Sequence, residues 1–242
     1  MRFHLVRLCG VIALALVGVL GSTAVSGAAA FKPRAGRSPL NFKQVLTRMD
    51  GAAAQLKTVS ARLSYTTVTV LVNDRSTQTG ELFFRKGKSL EVMVRFLKPD
   101  LKVILFKHNR AEIYNPKINQ IQEYSLERHA DMLQQFLLLG FGTPISNLQS
   151  SYHLKYLGEK QLDNEPTEAL ELTPVEKSVA AQLVRVDLWV SKESWLPVQQ
   201  EFFEPSGDYL IASYSEIKVN EHLKRSVFEI HPSGGATRVK MN

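Results

Sequence analysis

Leu63-Ser64-Tyr65-Thr66-Thr67-Val68-Thr69 decides how this chain is read. Leu63, Tyr65, Thr67 and Thr69 alternate with Ser64, Thr66 and Val68 in a β-branched run that stops near Asn73-Asp74, a turn signal. Period two over this length predicts a strand with one face turned to a core. Further short runs follow at residues 79–86, 90–96, 101–106, 111–114 and 118–124, separated by Gly87, Pro99-Asp100, His108-Asn109 and Asn115-Pro116. Strands and loops this short predict an antiparallel meander.

Upstream the period changes. Phe42, Val45, Leu46, Met49, Ala53 and Leu56 fall three and four apart, which predicts a helix over about 40–57 with a single apolar stripe. A second helix is expected over Leu126–Leu139, closed by Gly140, and a short third from Ile145 to about Ser150. Strands are then expected at 152–157, 168–172, 183–190, 198–204, 209–219 and 227–230, with Val175–Ala181 either a helical turn or a polar loop. Lys192–Pro197 and Pro205-Ser206-Gly207-Asp208 read as hairpin connections. The fold class expected is mainly β with α: one curved antiparallel sheet of about 11 strands, an unclosed barrel covered by helices.

Residues 1–30 read as an export signal. Arg2 and Arg7 form a basic start, Leu8–Leu20 is apolar, and Ala28, Ala29 and Ala30 offer small residues for cleavage. The apolar run, about 13 residues, is shorter than a membrane span. Residues 31–39 read as a disordered lead-in, and 40–242 as one domain. Cys9 lies in the signal, so the mature chain carries no cysteine, which excludes disulfides, zinc-thiolate sites and a cysteine nucleophile. About 210 residues suffice to bury a core without such staples. The net charge of +7 falls to about +5 without Arg2 and Arg7, and its charges are interspersed. Arg85, Lys86 and Lys88 form too small a cluster for a nucleic-acid surface.

Chemistry is sparse. The histidines at 108, 129, 153, 222 and 231 are not spaced as metal ligands, and no nucleophile elbow or phosphate loop appears. Glu168, Glu171 and His153 could be buried, but solvent-facing strand positions are the better reading for all three. No cofactor and no catalytic residue are expected, and the protein is read as a non-enzyme. The apolar pattern carries more: the helices either fill the concave face as an ordinary α+β core, or close it incompletely and leave a cavity for acyl chains.

The order of Gly80-Glu81-Leu82-Phe83-Phe84-Arg85-Lys86, Ile113-Tyr114-Asn115-Pro116, the apolar helix pair, Leu172-Thr173-Pro174, Leu188-Trp189-Val190 and Trp195-Leu196-Pro197 resembles the outer-membrane lipoprotein carrier family, the periplasmic LolA-type chaperones. The resemblance spans about residues 40–232. It implies an unclosed barrel that ferries lipid-modified proteins from an inner-membrane exporter to an outer-membrane receptor, as a monomer, in the periplasm. It implies an acyl cavity lined by Leu63, Tyr65, Leu82, Phe84, Leu90, Val92, Val94, Leu133, Phe136 and Leu137, with Lys86 and Phe141 gating a lid. The family commonly has basic-then-proline where this chain has Lys86-Gly87, which puts any lid-holding role of Lys86 in question. The alternative kept open is a periplasmic sensor resembling RseB-type regulators, whose additional C-terminal domain this chain ends too soon to hold, or a carrier of another lipid. An enzyme acting on a lipid within the same cavity is a third reading, lacking a convincing acid, base or nucleophile.

Overall fold

The computed structural model describes residues 40–87, 89–125, 139 and 141–241. The chain divides into Met1–Asn41 and Phe42–Asn242, and the elements below belong to the second unit. The expected signal, lead-in and most of the Leu126–Leu139 helix, with Leu133, Phe136 and Leu137, lie outside the described residues.

Helix α1 runs Phe42–Gln55, and Val45, Leu46, Met49 and Ala53 along its stripe are buried. Strand β1 (Thr58–Thr69) follows, then β2 (Asp74–Lys86), β3 (Leu90–Lys98), β4 (Lys102–Lys107), β5 (Arg110–Asn115) and β6 (Gln120–Ser125). After α2 (Ile145–Ser151) come β7 (Tyr152–Leu162), β8 (Glu165–Pro174), a single helical turn α3 (Lys177–Ala180), β9 (Arg185–Ser191), β10 (Pro197–Phe203), β11 (Tyr209–Val219) and β12 (Thr237–Met241). Of the two readings for 175–181 the helical turn is therefore the one found, and it buries Val179.

All twelve strands form one sheet, ordered β12-β6-β5-β4-β3-β2-β1-β11-β10-β9-β8-β7 and left open between β12 and β7. Two consecutive meanders, β1 to β6 and β7 to β11, are joined where β1 pairs with β11. The sheet departs from the expected uniform meander at its end, where β12 pairs with β6 in parallel. A strand that returns from the far end of the chain reaches this edge without a hairpin, so its direction is free of the hairpin constraint.

Cross-strand register fixes which side chains share a face, because directly opposed residues point the same way. Val59, Ala61 and Leu63 of β1 oppose Phe84, Leu82 and Gly80 of β2, which in turn oppose Val92, Val94 and Phe96 of β3. This inward set continues through Ile104 and Phe106 of β4 to Ala111 and Ile113 of β5. On the other flank it passes through Ala212, Gln200, Leu188, Leu170 and Tyr156.

The opposite face of β3 is also covered. Met93, Leu105 and Phe228 form a second small core, with Phe83, Val103, Leu223, Val227 and Ile230 packed around it. Of the residues 227–230 expected to form a strand, Val227 and Phe228 instead close a 3-10 turn, Arg225–Phe228, which places the fully buried Phe228 ring on the sheet. Arg85 lies over that ring at 4.4 Å, and Arg95 Nη2 donates to the Val227 carbonyl at 3.0 Å. Burial on both faces accounts for the unbroken run Glu91–Val94, none of it exposed.

Gly80 sits at a register irregularity between β2 and β3. A Cβ there would stand 1.9 Å from the Arg95 carbonyl oxygen, so no side chain fits without moving backbone. Gly80→Ala should cost about 3 kcal/mol, at the upper end of single substitutions; a urea midpoint unchanged from the parent protein would contradict the close approach.

Glu91 is held between Arg85, at 2.6 Å to Nε, and Lys107, at 2.9 Å, with its side chain 11% exposed. Burial acts to raise its pKa, but the hydrogen bonds and charges of Lys107 and Arg85 outweigh it and hold the carboxyl below its ordinary 4.5. A depressed carboxyl pKa stabilises the fold above the unfolded value, and that contribution is lost as pH falls through the folded value. Glu91→Gln should therefore cost about 2 kcal/mol near neutral pH, with a shrinking penalty below about pH 4.5. Denaturant titrations at neutral and acid pH measure this; an equal penalty at both would refute the ionic origin.

Candidate functional site

Seven residues expected to line a cavity fall in the described sheet, and the register brings all of them to the inward face. Leu63, Leu82, Phe84, Val92 and Val94 are buried there, and Tyr65 meets Phe96 edge-on at 6.0 Å. Leu90 is half-buried at the end of β3, opposite the exposed Lys86. The Lys86 amide donates to the Lys57 carbonyl at 2.7 Å, which ties the end of β2 to the start of β1. At the other end of the β3–β4 pair, Lys102 places its ammonium 5.9 Å from the Phe96 ring. Burial lowers the Lys102 pKa, against a raising influence of Asp100.

The inward face is not bare. Phe141, 2% exposed, packs edge-on to Tyr214 of β11 with ring centroids 4.9 Å apart, and Leu139 is fully buried. Gln200 of β10 fastens this segment: its amide donates to the Leu139 carbonyl at 2.5 Å while its own carbonyl accepts from the Tyr214 hydroxyl at 2.8 Å. Gly142, at φ +67°, lets the chain turn where a Cβ would touch Leu56, just after α1, and Phe84 of β2. Asp50 of α1 then accepts the Ile145 amide at 2.9 Å at the start of α2. Leu139 and Phe141–Ile145 are thus seated between α1 and the sheet by a handful of polar contacts around apolar side chains.

A polar cluster stands beside it on β7, β8 and the β9–β10 turn. Glu168 is fully buried, contrary to the solvent-facing position expected from sequence. Its Oε2 accepts from the Tyr156 hydroxyl at 2.6 Å, and Lys192 Nζ lies 3.5 Å from Oε1. Burial, the hydrogen bond to Glu168 and the charges of Glu168 and Glu159 together hold the Tyr156 phenol well above its ordinary pKa. Burial alone pushes Tyr152 up to about 12. Both phenols stay protonated, Tyr156 donates to Glu168, and Phe42 of α1 stacks on Tyr156 at 5.9 Å. Glu171 pairs with Lys155 at 3.6 Å, and His153 is exposed. Among the described residues no group of three or more His, Cys, Asp and Glu side chains could hold a metal ion.

Gln200, Tyr214 and Leu139 are among the inward residues that sequence reasoning did not single out, and Glu168 is one that it assigned to solvent. Strand parity carries a signal for two of them, since Glu168 alternates in phase with Leu170 and Leu172, and Gln200 with Val198 and Phe202. Outside the sheet's inner face, a cleft of about 340 Å³ lies between α1 and the β9–β10 turn, where Arg48 stands 5.1 Å over Trp195. A groove of about 710 Å³ crosses β11, β1, β2 and β3 among Arg62, Glu81, Lys98 and Glu216, too charged a lining for hydrocarbon.

Among solved structures, the chain is similar to an uncharacterized conserved protein from Thermus thermophilus, at 14% identity and TM-score 0.53 over 82% of this chain and 98% of that one. It is similar to MucB at 14% identity and TM-score 0.51, over 81% of this chain and 64% of that one. A LolA superfamily protein from Nitrosomonas europaea aligns at 18% identity and TM-score 0.40, over 79% and 98% of the two chains. At these identities the first two likenesses show a shared fold. None of the curated proteins matches the sequence. A family model described as "Uncharacterized protein" matches residues 113–241, just over half of the chain, and the chain belongs to that family.

Proposed function

We propose that this chain is an exported carrier whose inward face holds hydrocarbon tails, foremost the acyl chains of lipid-modified proteins, during transit between two membranes. The observation that carries the reading is the largely apolar face from β5 to β8 with Leu139 and Phe141 seated on it. The charge-free lining of Leu63, Tyr65, Leu82, Phe84, Leu90, Val92 and Val94 suits an acyl chain, and the order of sequence motifs resembles the lipoprotein carriers. Leu133, Phe136 and Leu137 complete the expected lining. In this account Phe141 is the gate: its ring occupies space that a hydrocarbon chain takes when the Leu139–Thr143 segment withdraws. Lys86 stands at the rim beside Leu90, where an ammonium meets the polar end of a cargo.

The magnitudes permit reversible exchange. Withdrawing Phe141 and admitting an acyl chain swaps one apolar contact for another. The Gln200–Leu139 hydrogen bond contributes about 1 kcal/mol net, which two buried methylenes offset at about 0.8 kcal/mol each. Loading therefore needs no nucleotide, and release needs only an acceptor with a somewhat better apolar site. An inner-membrane exporter and an outer-membrane receptor are the corresponding partners, with the protein working as a periplasmic monomer.

A regulatory sensor of lipid is the second reading, favoured by the fold shared with MucB. Both readings use an occupied inward face, and they part on whether cargo is handed on.

Leu90→Glu puts a charge at the half-buried rim, so extraction of lipoproteins from inner-membrane vesicles should fall at least about tenfold while the melting temperature moves by only a few degrees. A collapse in melting temperature with extraction intact would make Leu90 ordinary core. Phe141→Ala vacates the seat: the empty protein should lose about 3 kcal/mol, while its affinity for a fluorescent fatty acid rises. A loss of fatty-acid affinity in that variant would show that Phe141 is wall and not gate.

A further inference from the structure

The β1–β2 hairpin, built from the sheet's two longest strands, ends in three consecutive aliphatic residues that the sheet does not cover. Val70, Leu71 and Val72 are 54%, 93% and 66% exposed. Single exposed aliphatics are ordinary, but three in a row at the tip of a long hairpin are not. The tip is a formed 3-10 turn, closed by the Asn73 amide donating to the Val70 carbonyl at 3.2 Å. It is braced from the neighbouring hairpin, where Asp208 accepts the Val70 amide at 2.9 Å. Its exposure therefore belongs to an ordered structure.

We infer that this tip is a membrane-contact point that sinks Val70, Leu71 and Val72 into the interfacial layer of a lipid bilayer. Three arguments choose a bilayer over a protein partner. In a 3-10 turn successive side chains stand about 120° apart, so the three aliphatics splay around the tip; a groove covers one side of such a knob, whereas hydrocarbon surrounds it. Three side chains also fall far short of the roughly 800 Å² per partner of a stable protein interface. The third argument is the collar behind the tip. The pair Val68–Tyr209 lies two residues back, about 7 Å along the strand, close to the depth at which interfacial segments sit. There Tyr209 stacks on Phe203 at 5.5 Å, the Arg185 guanidinium stands 3.8 Å over Phe203, and the exposed Arg75 opposes Val68. Aromatic rings with guanidinium groups are the side chains that favour the headgroup level. Asp74 and Asp208 flank the same turn, so the attraction is apolar in origin and survives added salt. The inference is independent of what the inward face carries.

The test uses the mature full-length chain with Leu71→Trp, whose indole reports its surroundings over the background of Trp189 and Trp195. Vesicles of phosphatidylcholine, and of phosphatidylethanolamine with phosphatidylglycerol, should shift its emission to the blue and admit quenching by shallow brominated lipids, at low and high salt alike. A Val70→Ser, Leu71→Ser, Val72→Ser triple variant should lose at least about tenfold in vesicle co-sedimentation with an unchanged melting temperature. Equal sedimentation of parent and triple variant, or no blue shift with either vesicle, overturns the inference. A blue shift that grows with protein concentration in the absence of lipid overturns it in favour of a second copy of the chain.

Discussion

An unclosed sheet must keep its inward face from water without the help of barrel closure, and this constraint organises the molecule. Twelve strands place Val59, Leu82, Phe84, Val92, Val94, Phe96 and their neighbours on one side. Exposed, that surface would be a large apolar patch of the kind soluble proteins avoid. The chain meets the demand in two unequal ways. Helix α1 contributes a regular apolar stripe, and a non-repetitive segment around Leu139 and Phe141 is pinned through the Gln200 side chain. A stripe on a 14-residue helix is held by many contacts at once. A turn fastened through a few polar contacts, the buried Gln200 amide among them, is the element that can be exchanged for something else of similar oiliness.

The two faces of β2 and β3 show a division of labour. Outward, Met93, Leu105 and Phe228 form a closed core, and the Arg85–Glu91–Lys107 group and Arg95 clamp the C-terminal segment over it. That side is fixed by charge-assisted bonds, which are short and directional. Inward, the same strands present mostly hydrocarbon, whose contacts are indifferent to which apolar group supplies them. One hairpin therefore gives a rigid back and an adaptable front. A protein that must take up and release a greasy ligand without losing its fold needs that asymmetry.

Much of this was legible in the sequence where side-chain periodicity and burial coincide. The α1 stripe, the strand runs from Leu63 onward and the hairpin at Pro205–Asp208 follow from spacing and turn chemistry. What escaped has physical reasons. The first part of β2, Asp74–Gln78, is polar and mostly exposed, and it is a strand because β1 supplies its hydrogen-bond partners. β12 buries no side chain and follows Ser233-Gly234-Gly235, so neither alternation nor apolarity marks it. Val227–Ile230 looked like a strand because Val227, Phe228 and Ile230 are apolar, yet their burial is against the back of the sheet and not within it. At the candidate site, the seven sheet positions came from the resemblance to the carrier family, and their cross-strand register puts them on one face, while Gln200 and Glu168 were hidden by the habit of assigning polar residues to solvent. Parity contradicts that habit at both positions, and the buried partners, Leu139 and Tyr156, are remote in sequence from the one and twelve residues from the other.

The account stands on hydrocarbon occupying the inward face of the working protein. Its most direct test is mass spectrometry of whatever remains bound after gentle purification from the native envelope, without detergent. The account predicts acyl-bearing molecules in near-stoichiometric amount, released when the chain is unfolded. A preparation free of any acyl species, and unable to take up a spin-labelled fatty acid, would contradict it.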